Sequence, residues 1–248
     1  MKSQVLQFAL GLSLAFSSVH AFSAEDPKTL LEESDRARGG VKKGVSWKVK
    51  LDTTEDGDTA STTYRVRSMT NNAYVEVIEP ARSKGEVLLF NDRTIWFYKP
   101  SLKKPVAISA RQKLSGQAAN GDIASTNYAR DYTGKVVGEE KVNGEDCFVL
   151  ELKSVGEGTT YDGIKYWISK KKKLGVKADF LSLQGKTLKT AEFKYENSMT
   201  VDGKKFEFVS EMKLVDAQNK KNFSVMTYTI PKIESSPASL FNVNNLLR

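Results

Sequence analysis

The chain has 248 residues, with 38 Lys and Arg against 30 Asp and Glu, which gives a formal net charge of +8. Its single histidine is His20 and its single cysteine is Cys147, so an internal disulfide is excluded. The excess of basic residues suits binding to an anionic membrane surface or to an acidic partner, and a need for solubility explains it equally well.

Residues 1–21 have the pattern of a secretory signal peptide. Lys2 precedes an apolar run from Val5 to Phe16, which is too short to span a bilayer, and "SSVHA" follows. We expect cleavage after Ala21 and release of the mature chain into the periplasm. Residues 22–248 are expected to form one domain, because β-barrels and sandwiches reach this size without splitting.

The mature chain opens with a predicted helix in "EDPKTLLEESDRARGG". Asp26 is a favourable N-cap, Pro27 suits the first helical position, and Gly39 begins a pair of glycines that ends the helix. Leu30 and Leu31 give the helix a modest apolar face.

From Val45 onwards the hydrophobic period changes to two, which indicates strands. Polar turns, several with glycine, separate "VSWKVKL", "STTYRVRS", "AYVEVIE", "EVLLF", "TIWFY", "GKVVGEE", "CFVLELK", "GIKYWIS", "KADFLSL", "KTAEFKYE", "KFEFVSEMKLV" and "FSVMTYTI". We predict an antiparallel meander of about 11 strands, which must curl into a whole or partial barrel or split into a sandwich.

Two segments interrupt the alternating pattern. Residues 109–134 lack alternation, and we expect a loop with one or two short helices there. The C-terminal "SSPASLFNVNNLLR" carries one apolar turn around Leu240 and Phe241. The hairpin "EVLLFNDRTIWFYKP" is apolar on both faces, so the face that points away from the core needs a separate cover.

The usual catalytic constellations are missing. Removal of His20 with the signal peptide leaves no Ser-His or Cys-His pair and no imidazole metal ligand, and "G-x-S-x-G", a phosphate loop and "C-x-x-C" are absent. Carboxylate pairs such as Glu139 with Glu140 lie in polar, turn-like stretches. We therefore expect a protein that is not an enzyme and needs no cofactor or metal, with Cys147 as a buried, inert thiol.

Nucleic-acid binding is also not expected. The aromatic residues have strand-interior spacing and do not alternate with surface lysines, and the chain carries an export signal.

The stretch "NDRTIWFYKPSLKKPVAIS" resembles the LolA family of periplasmic lipoprotein carriers, in which Trp-x-Tyr-x-Pro follows a turn. The matching positions are Trp96, Tyr98 and Pro100. Most of the mature chain resembles the related outer membrane lipoprotein-sorting proteins, through "DRARGG", "EPARSKGEVLL", "GDIASTNYARDYTGKVVGEEKVNGEDCFVLEL", "YWISKKKKLGVKADFLSLQGKTLKTAEF" and "ASLFNVNNLLR".

The resemblance implies a mainly β fold: an unclosed, strongly curved antiparallel barrel with a few plug or lid helices and a hydrophobic cavity for acyl chains. The chain is longer than the LolA carriers, and its insertion at residues 109–134 follows the sorting-protein group. Arg38, in "DRARGG", is a candidate for the lid-gating arginine of the carriers. The alternative is a structural arginine that pairs near the helix end.

The function implied is a periplasmic carrier that binds acyl chains of lipoproteins or other lipids and delivers them towards the outer membrane. An inner-membrane exporter of the resistance-nodulation-division type and an outer-membrane acceptor are possible partners, and we expect a monomer. Two alternatives stay open at this point: a sensor or adaptor module on the same fold, and a structural accessory domain of an exporter with a filled core.

Large side chains recur on successive strands, on faces that a curved sheet could turn towards its interior. From these we predict an apolar lipid-binding site formed by Trp47, Tyr64, Trp96, Tyr98, Trp167 and Phe193, with Leu114 and Ile123 from the insertion. Each strand has two opposite phases, and a single bulge reverses the assignment. The same side chains could also form an ordinary filled core.

Overall fold

The computed structural model describes residues 25–124 and 127–247, and the proposed signal peptide lies outside them. Helix α1 (Pro27–Arg36) begins at its Asp26 cap, whose carboxylate accepts a hydrogen bond from the Thr29 backbone N–H at 3.0 Å. Gly39 follows the helix with a φ of 97°. The predicted beginning and end of this helix are therefore confirmed. Across the described residues, no helix combines the length and apolar character needed to cross a membrane.

Strands account for most of the regular structure in the described residues. They are β1 (Val45–Glu55), β2 (Asp58–Met69), β3 (Asn72–Glu79), β4 (Val87–Asn91), β5 (Thr94–Tyr98), β6 (Val106–Ile108), β7 (Lys113–Ser115), β8 (Ala118–Ala119), β9 (Tyr132–Val142), β10 (Glu145–Ser154), β11 (Gly163–Ser169), β12 (Gly175–Leu181), β13 (Thr187–Lys194), β14 (Asn197–Val201), β15 (Lys204–Phe208), β16 (Glu211–Asp216) and β17 (Phe223–Ile233). Helix α2 (Tyr128–Asp131) precedes β9. Short 3-10 helices cover Ala81–Ser83, Asn120–Asp122, Ala238–Phe241 and Val243–Leu247.

Thirteen of these strands form one antiparallel sheet in the order β6-β5-β4-β3-β2-β1-β17-β16-β13-β12-β11-β10-β9. The sheet consists of two meanders joined where β1 pairs with β17. Its edge strands, β6 and β9, do not pair with each other, so the barrel is unclosed. The predicted fold class, a mainly β unclosed antiparallel barrel with few helices, is confirmed.

Two details of the predicted strand pattern are wrong. The run "KFEFVSEMKLV" is split at Val209, whose backbone N–H donates to the Ala37 carbonyl at 2.9 Å. Its first part is β15, which pairs with β14 in a hairpin outside the main sheet, and its second part is β16. The insertion after β6 also contains two short paired strands, β7 and β8, in addition to its helical turns.

The inner face of the sheet carries the main apolar core, to which both meanders and α1 contribute. Leu30 and Leu31 of α1 are fully buried in it, as the apolar face of the helix predicts. The β14–β15 hairpin covers one end, where Phe208 packs on Trp47 with ring centroids 5.6 Å apart.

The outer face of the β4–β5 hairpin is covered by the C-terminal segment of the chain. Val87 and Leu89 form a second apolar cluster with Phe241 and Leu246, and Phe241 is only 4% exposed. The Asn91 side-chain amide donates to the Phe241 carbonyl at 3.0 Å. The chain therefore supplies its own cover for the second apolar face of this hairpin.

The gap between β6 and β9 is crossed by the inserted segment, which is anchored by a buried ion pair. Asp122 and Lys189 are 7% and 9% exposed, and the Lys189 Nζ lies 3.5 Å from an Asp122 carboxylate oxygen. The Tyr161 hydroxyl donates to the same carboxylate at 2.7 Å, and the Ala119 backbone N–H donates to it at 2.9 Å. These bonds hold the segment against β13 and the β10–β11 loop.

A methyl group at Gly175 has no room, and we expect Gly175→Ala to destabilise the fold. An added Cβ would lie 1.8 Å from the Tyr166 hydroxyl oxygen, and Tyr166 is fully buried and hydrogen-bonded to Ser34 at 2.7 Å. Overpacking of this kind costs about 1–3 kcal/mol. Gly138→Ala is the matched control, because its Cβ would meet no atom within 4 Å. Urea unfolding measures both, and equal midpoints would contradict the expectation.

The C-terminal cover should contribute strongly to stability. Phe241→Ala leaves a cavity in the outer cluster and should lower the free energy of unfolding by about 3–5 kcal/mol, as buried phenylalanine truncations do. Leu247→Ala serves as the control, since Leu247 is 53% exposed and should change stability by less than about 0.5 kcal/mol. Thermal unfolding followed by circular dichroism compares the two, and a neutral Phe241→Ala would show that the cover is dispensable.

Candidate functional site

The eight side chains predicted to form one apolar site lie on opposite sides of the sheet. Five are on the inner side, and these are Trp47, Tyr64, Phe193, Leu114 and Ile123. Three are on the outer side, and these are Trp96, Tyr98 and Trp167. The structure therefore does not bring the eight together, and lipid binding by any of them stays a prediction.

Trp96 and Tyr98 lie on the outer face of β5, whereas the inner face was predicted for them. In the β4–β5 pairing Trp96 stands opposite Leu89, and both pack in the cluster covered by Phe241. The intervening residue, Phe97, stands opposite Leu88 and joins the inner core. A phase error of one residue exchanges the two faces of a strand, and this accounts for the wrong assignment.

Trp167 is also on the outer face, where it packs with Cys147. Its strand alternates regularly, because Tyr166 and Ile168 on either side of it belong to the inner core. The predicted phase of β11 was therefore wrong by one residue. Lys177 and Lys165 place their ammonium groups 4.2 and 4.7 Å from the indole centroid, and Glu140 accepts the indole N–H at 2.8 Å. Cys147 is fully buried, as predicted.

A cleft of about 630 Å³ opens on the inner face between strands β2–β6 and the inserted segment. Its apolar lining residues are Tyr64, Val77, Val87, Leu88, Phe97, Ile108 and Leu114. Its polar side chains are Thr62, Ser83, Glu86, Gln112, Lys113, Ser115 and Asn120. The cleft thus combines an apolar lining from the sheet with polar groups that come mainly from turns and from the insertion.

The wall formed by the insertion is fixed by hydrogen bonds at several points. Lys113 donates to Glu55 at the end of β1 at 2.5 Å. The Asn120 side-chain amide donates to the Ser109 carbonyl at 2.9 Å, and Lys189 donates to the Gln117 carbonyl. The cleft is therefore bounded by a structured wall on the side opposite the sheet.

Tyr64 is the one aromatic hydroxyl in the cleft lining. Burial raises its pKa to about 12, a side-chain hydrogen bond from Thr62 opposes this rise, and the Glu86 carboxylate adds to it. The phenol is therefore neutral near pH 7 and presents a hydroxyl group among apolar side chains.

Only Tyr64 and Leu114 of the predicted set line this cleft. Five of the apolar lining residues were not predicted from the sequence, namely Val77, Val87, Leu88, Phe97 and Ile108. The apolar C-terminal turn is the sequence signal that could have identified Leu88 and Phe97. If that turn covers one face of the β4–β5 hairpin, the other face must point to the interior.

The centre of the barrel is filled by aromatic side chains around Arg38. Arg38 is 5% exposed, and its guanidinium carbon lies 4.4 Å from the Phe193 ring centroid and 5.3 Å from that of Tyr128. Its Nη2 is 3.7 Å from the Met212 sulfur, and its Nη1 has no hydrogen-bond partner among the described residues. Stacking on aromatic faces thus takes the place of a carboxylate partner.

Asp35, at the end of α1, connects the two helices. It is 6% exposed, and its carboxylate accepts a hydrogen bond from the Ala129 backbone N–H of α2 at 2.9 Å. Burial raises its pKa to about 7, although that hydrogen bond, a similar one from Tyr128 and the Arg38 charge act in the opposite direction.

A second cleft of about 520 Å³ lies beside Asp35, between the helices and the β14–β15 hairpin. Its lining is largely charged and includes Glu32, Arg36, Lys43 and Asp202. In residues 25–124 and 127–247, no three His, Cys, Asp or Glu side chains are grouped so that they could hold a metal ion. Seven of the thirteen lining residues of this second cleft are charged, against two in the cleft near Tyr64. We therefore take the cleft near Tyr64 as the candidate site for an acyl chain.

The Asp35 carboxyl should make stability depend on pH. Its pKa is higher in the folded chain than the ordinary value of 3.8, so the folded chain keeps a proton that the unfolded chain releases. The free energy of unfolding should therefore fall between about pH 4 and pH 7, by a few kcal/mol in order of magnitude. Asp35→Asn should flatten this slope in urea unfolding measured across the range. Parallel profiles for the two proteins would rule out the effect.

The comparisons with known proteins agree with this architecture. A family model described as "Uncharacterized protein" matches residues 69–248. No curated protein matches the sequence. Among solved structures, a DUF1329 family protein from Desulfovibrio piger is 19% identical with a TM-score of 0.73, and the match covers 88% of this chain and 97% of that one.

A domain from Vibrio parahaemolyticus, described as an outer membrane lipoprotein-sorting protein, is 21% identical with a TM-score of 0.73, over 88% of this chain and 97% of the other. These two likenesses show the fold. A LolA superfamily protein from Nitrosomonas europaea is 30% identical with a TM-score of 0.78, over 88% of this chain and 98% of that one. With this identity over almost the whole length of the relative, the chain belongs to the LolA superfamily.

Proposed function

We propose that the protein is a carrier that holds a lipid acyl chain in the cleft beside Tyr64 and passes it on without catalysis. The observation that carries this proposal is the cleft itself, in which seven apolar residues line about 630 Å³ of space on the inner face of the sheet. This volume lies within the roughly 300–1,000 Å³ of typical small-ligand sites.

The energetics of burial are sufficient for such a carrier. Each methylene removed from water contributes about 0.8 kcal/mol, so a chain of some 14 to 16 carbons would contribute roughly 10 kcal/mol before the costs of binding. Polar side chains of the lining, such as Glu86 and Gln112, would stay hydrated beside a lipid headgroup. Binding and release of the acyl chain would then need no catalytic residue.

The centre of the barrel is filled by side chains, so the cleft beside Tyr64 is the space that remains for an acyl chain. Phe193, Tyr128 and Arg38 occupy the space between α1 and the sheet, where an acyl chain would otherwise have to lie. The inner face is less completely covered between β2–β6 and the insertion. A purely structural accessory domain would not need this uncovered apolar surface.

Membership of the LolA superfamily and the described sorting role of the Vibrio parahaemolyticus domain support a lipid or lipoprotein cargo. The signal-peptide pattern of residues 1–21 supports periplasmic localisation. Delivery towards the outer membrane, with an inner-membrane exporter as donor and an outer-membrane protein as acceptor, is part of the same proposal.

Two neighbouring residues of β5 provide a matched test of the cleft. Phe97→Asp places a carboxylate among the apolar walls, where a bound chain would strip its hydration, and should weaken binding of a fluorescent fatty-acyl probe at least roughly tenfold. Trp96→Asp adds the same charge on the outer face and should leave probe affinity unchanged. Titration of probe fluorescence measures both, with circular dichroism to confirm folding.

If Phe97→Asp does not fold, Leu114→Asp tests the opposite wall of the same cleft. Equal probe affinity in the wild type and in the folded cleft variants would refute the assignment. Mass spectrometry of the protein isolated from its native compartment should in addition detect a co-purified lipid, which the cleft variants should lose.

A further inference from the structure

Two turns beside the cleft carry a cluster of cationic side chains. The first turn, residues 80–86, joins β3 to β4, and the second, residues 99–105, joins β5 to β6. We call their five cations the basic rim, which consists of Arg82, Lys84, Lys99, Lys103 and Lys104. Lys99 is partly buried and the other four are exposed.

The two turns are neighbours in space and lie beside the cleft. A methyl group on Gly85 would lie 3.5 Å from the Pro100 side chain, so the turns are in contact. Ser83 and Glu86 of the first turn line the cleft. The second turn connects strands that contribute Phe97 and Ile108 to the same lining.

The basic rim differs from three of the four lysines in the run of residues 170–173. In that run, Lys170 pairs with Glu139, Lys172 lies 3.8 Å from Glu207, and Lys173 lies 2.5 Å from Glu25. By contrast, no carboxylate of the described residues lies within 4.0 Å of a rim ammonium or guanidinium group. The two turns hold five cations against one carboxylate, Glu86, which forms no ion pair with them. The rim therefore keeps a net positive charge.

We propose that the basic rim docks on an anionic lipid bilayer and turns the cleft entrance towards it. Each Lys or Arg near such a surface contributes attraction that decays within a Debye length. The docking follows from the rim charges alone. The idea that docking orients the cleft for loading or release rests on the proposed carrier function.

Apolar side chains beside the rim favour a bilayer over an acidic protein as the partner. Leu102 lies within "SLKKP", next to Lys103, and Val106 at the start of β6 is 45% exposed. A bilayer offers anionic headgroups directly above an apolar layer, which matches lysines that flank an apolar turn.

A vesicle sedimentation assay tests the proposal with the purified protein and two variants of equal charge. One variant carries K84Q, K103Q and K104Q in the rim. The other carries K171Q, K204Q and K205Q, which are exposed lysines at the opposite end of the barrel without a carboxylate partner among the described residues. Vesicles of phosphatidylcholine, with and without phosphatidylglycerol, provide neutral and anionic surfaces.

The wild-type protein should bind only the anionic vesicles, and less as salt is raised. The rim variant should lose roughly 100-fold in partitioning, and the control variant only a few-fold. No binding by the wild type, or an equal loss in both variants, overturns the proposal. Binding to an acidic protein without binding to anionic vesicles overturns it as well.

The assay separates this proposal from the carrier function. Both lysine variants should retain the affinity of the wild type for the fatty-acyl probe in solution, because none of the six residues lines the cleft. Rim-dependent binding to vesicles by a protein that takes up no acyl probe would refute the carrier function and support the docking surface.

Discussion

A curved sheet that does not close on itself exposes its inner apolar face along the gap between its edge strands. In this protein the segment between β6 and β9 crosses that gap, and a buried ion pair between Asp122 and Lys189 holds it there. Removing either partner would leave an uncompensated charge in the interior, which typically costs 3–5 kcal/mol. The cleft is the part of the inner face that this anchored segment leaves uncovered, so its shape depends on where the ion pair fixes the segment.

Local physical chemistry made much of the fold predictable. Asp26 and Gly39 marked the helix ends, and the period of two marked most strands. The split of β15 from β16 was not predictable, because it depends on a tertiary hydrogen bond from Val209 to the Ala37 carbonyl. The site was predicted less well, since Trp96 and Phe97 are both large and apolar, and only the pairing with β4 and the C-terminal cover decide which of them faces inward.

Arg38 shows how a cation can be accommodated in an apolar interior without a carboxylate. Two aromatic faces and a methionine sulfur surround its guanidinium group. This position agrees with the structural alternative, in which the arginine belongs to the packing at the end of α1. A weakly hydrated, planar guanidinium suits such stacking better than a lysine ammonium would. The same side chain helps to fill the centre of the barrel, and the uncovered apolar surface lies elsewhere on the inner face.

The pairing of β1 with β17 joins the first strand of the sheet to the last, near its middle. Residues 45–54 therefore find their partners some 180 positions later in the chain. Contacts of such long sequence separation require loop closure before they contribute stability, and folds rich in them form slowly. Neither the middle of the sheet nor the cover over the β4–β5 hairpin can form until the last residues are available. A chain that is still being synthesised or threaded through a membrane would therefore remain without its central strand pair, in a state open to chaperones and translocation machinery.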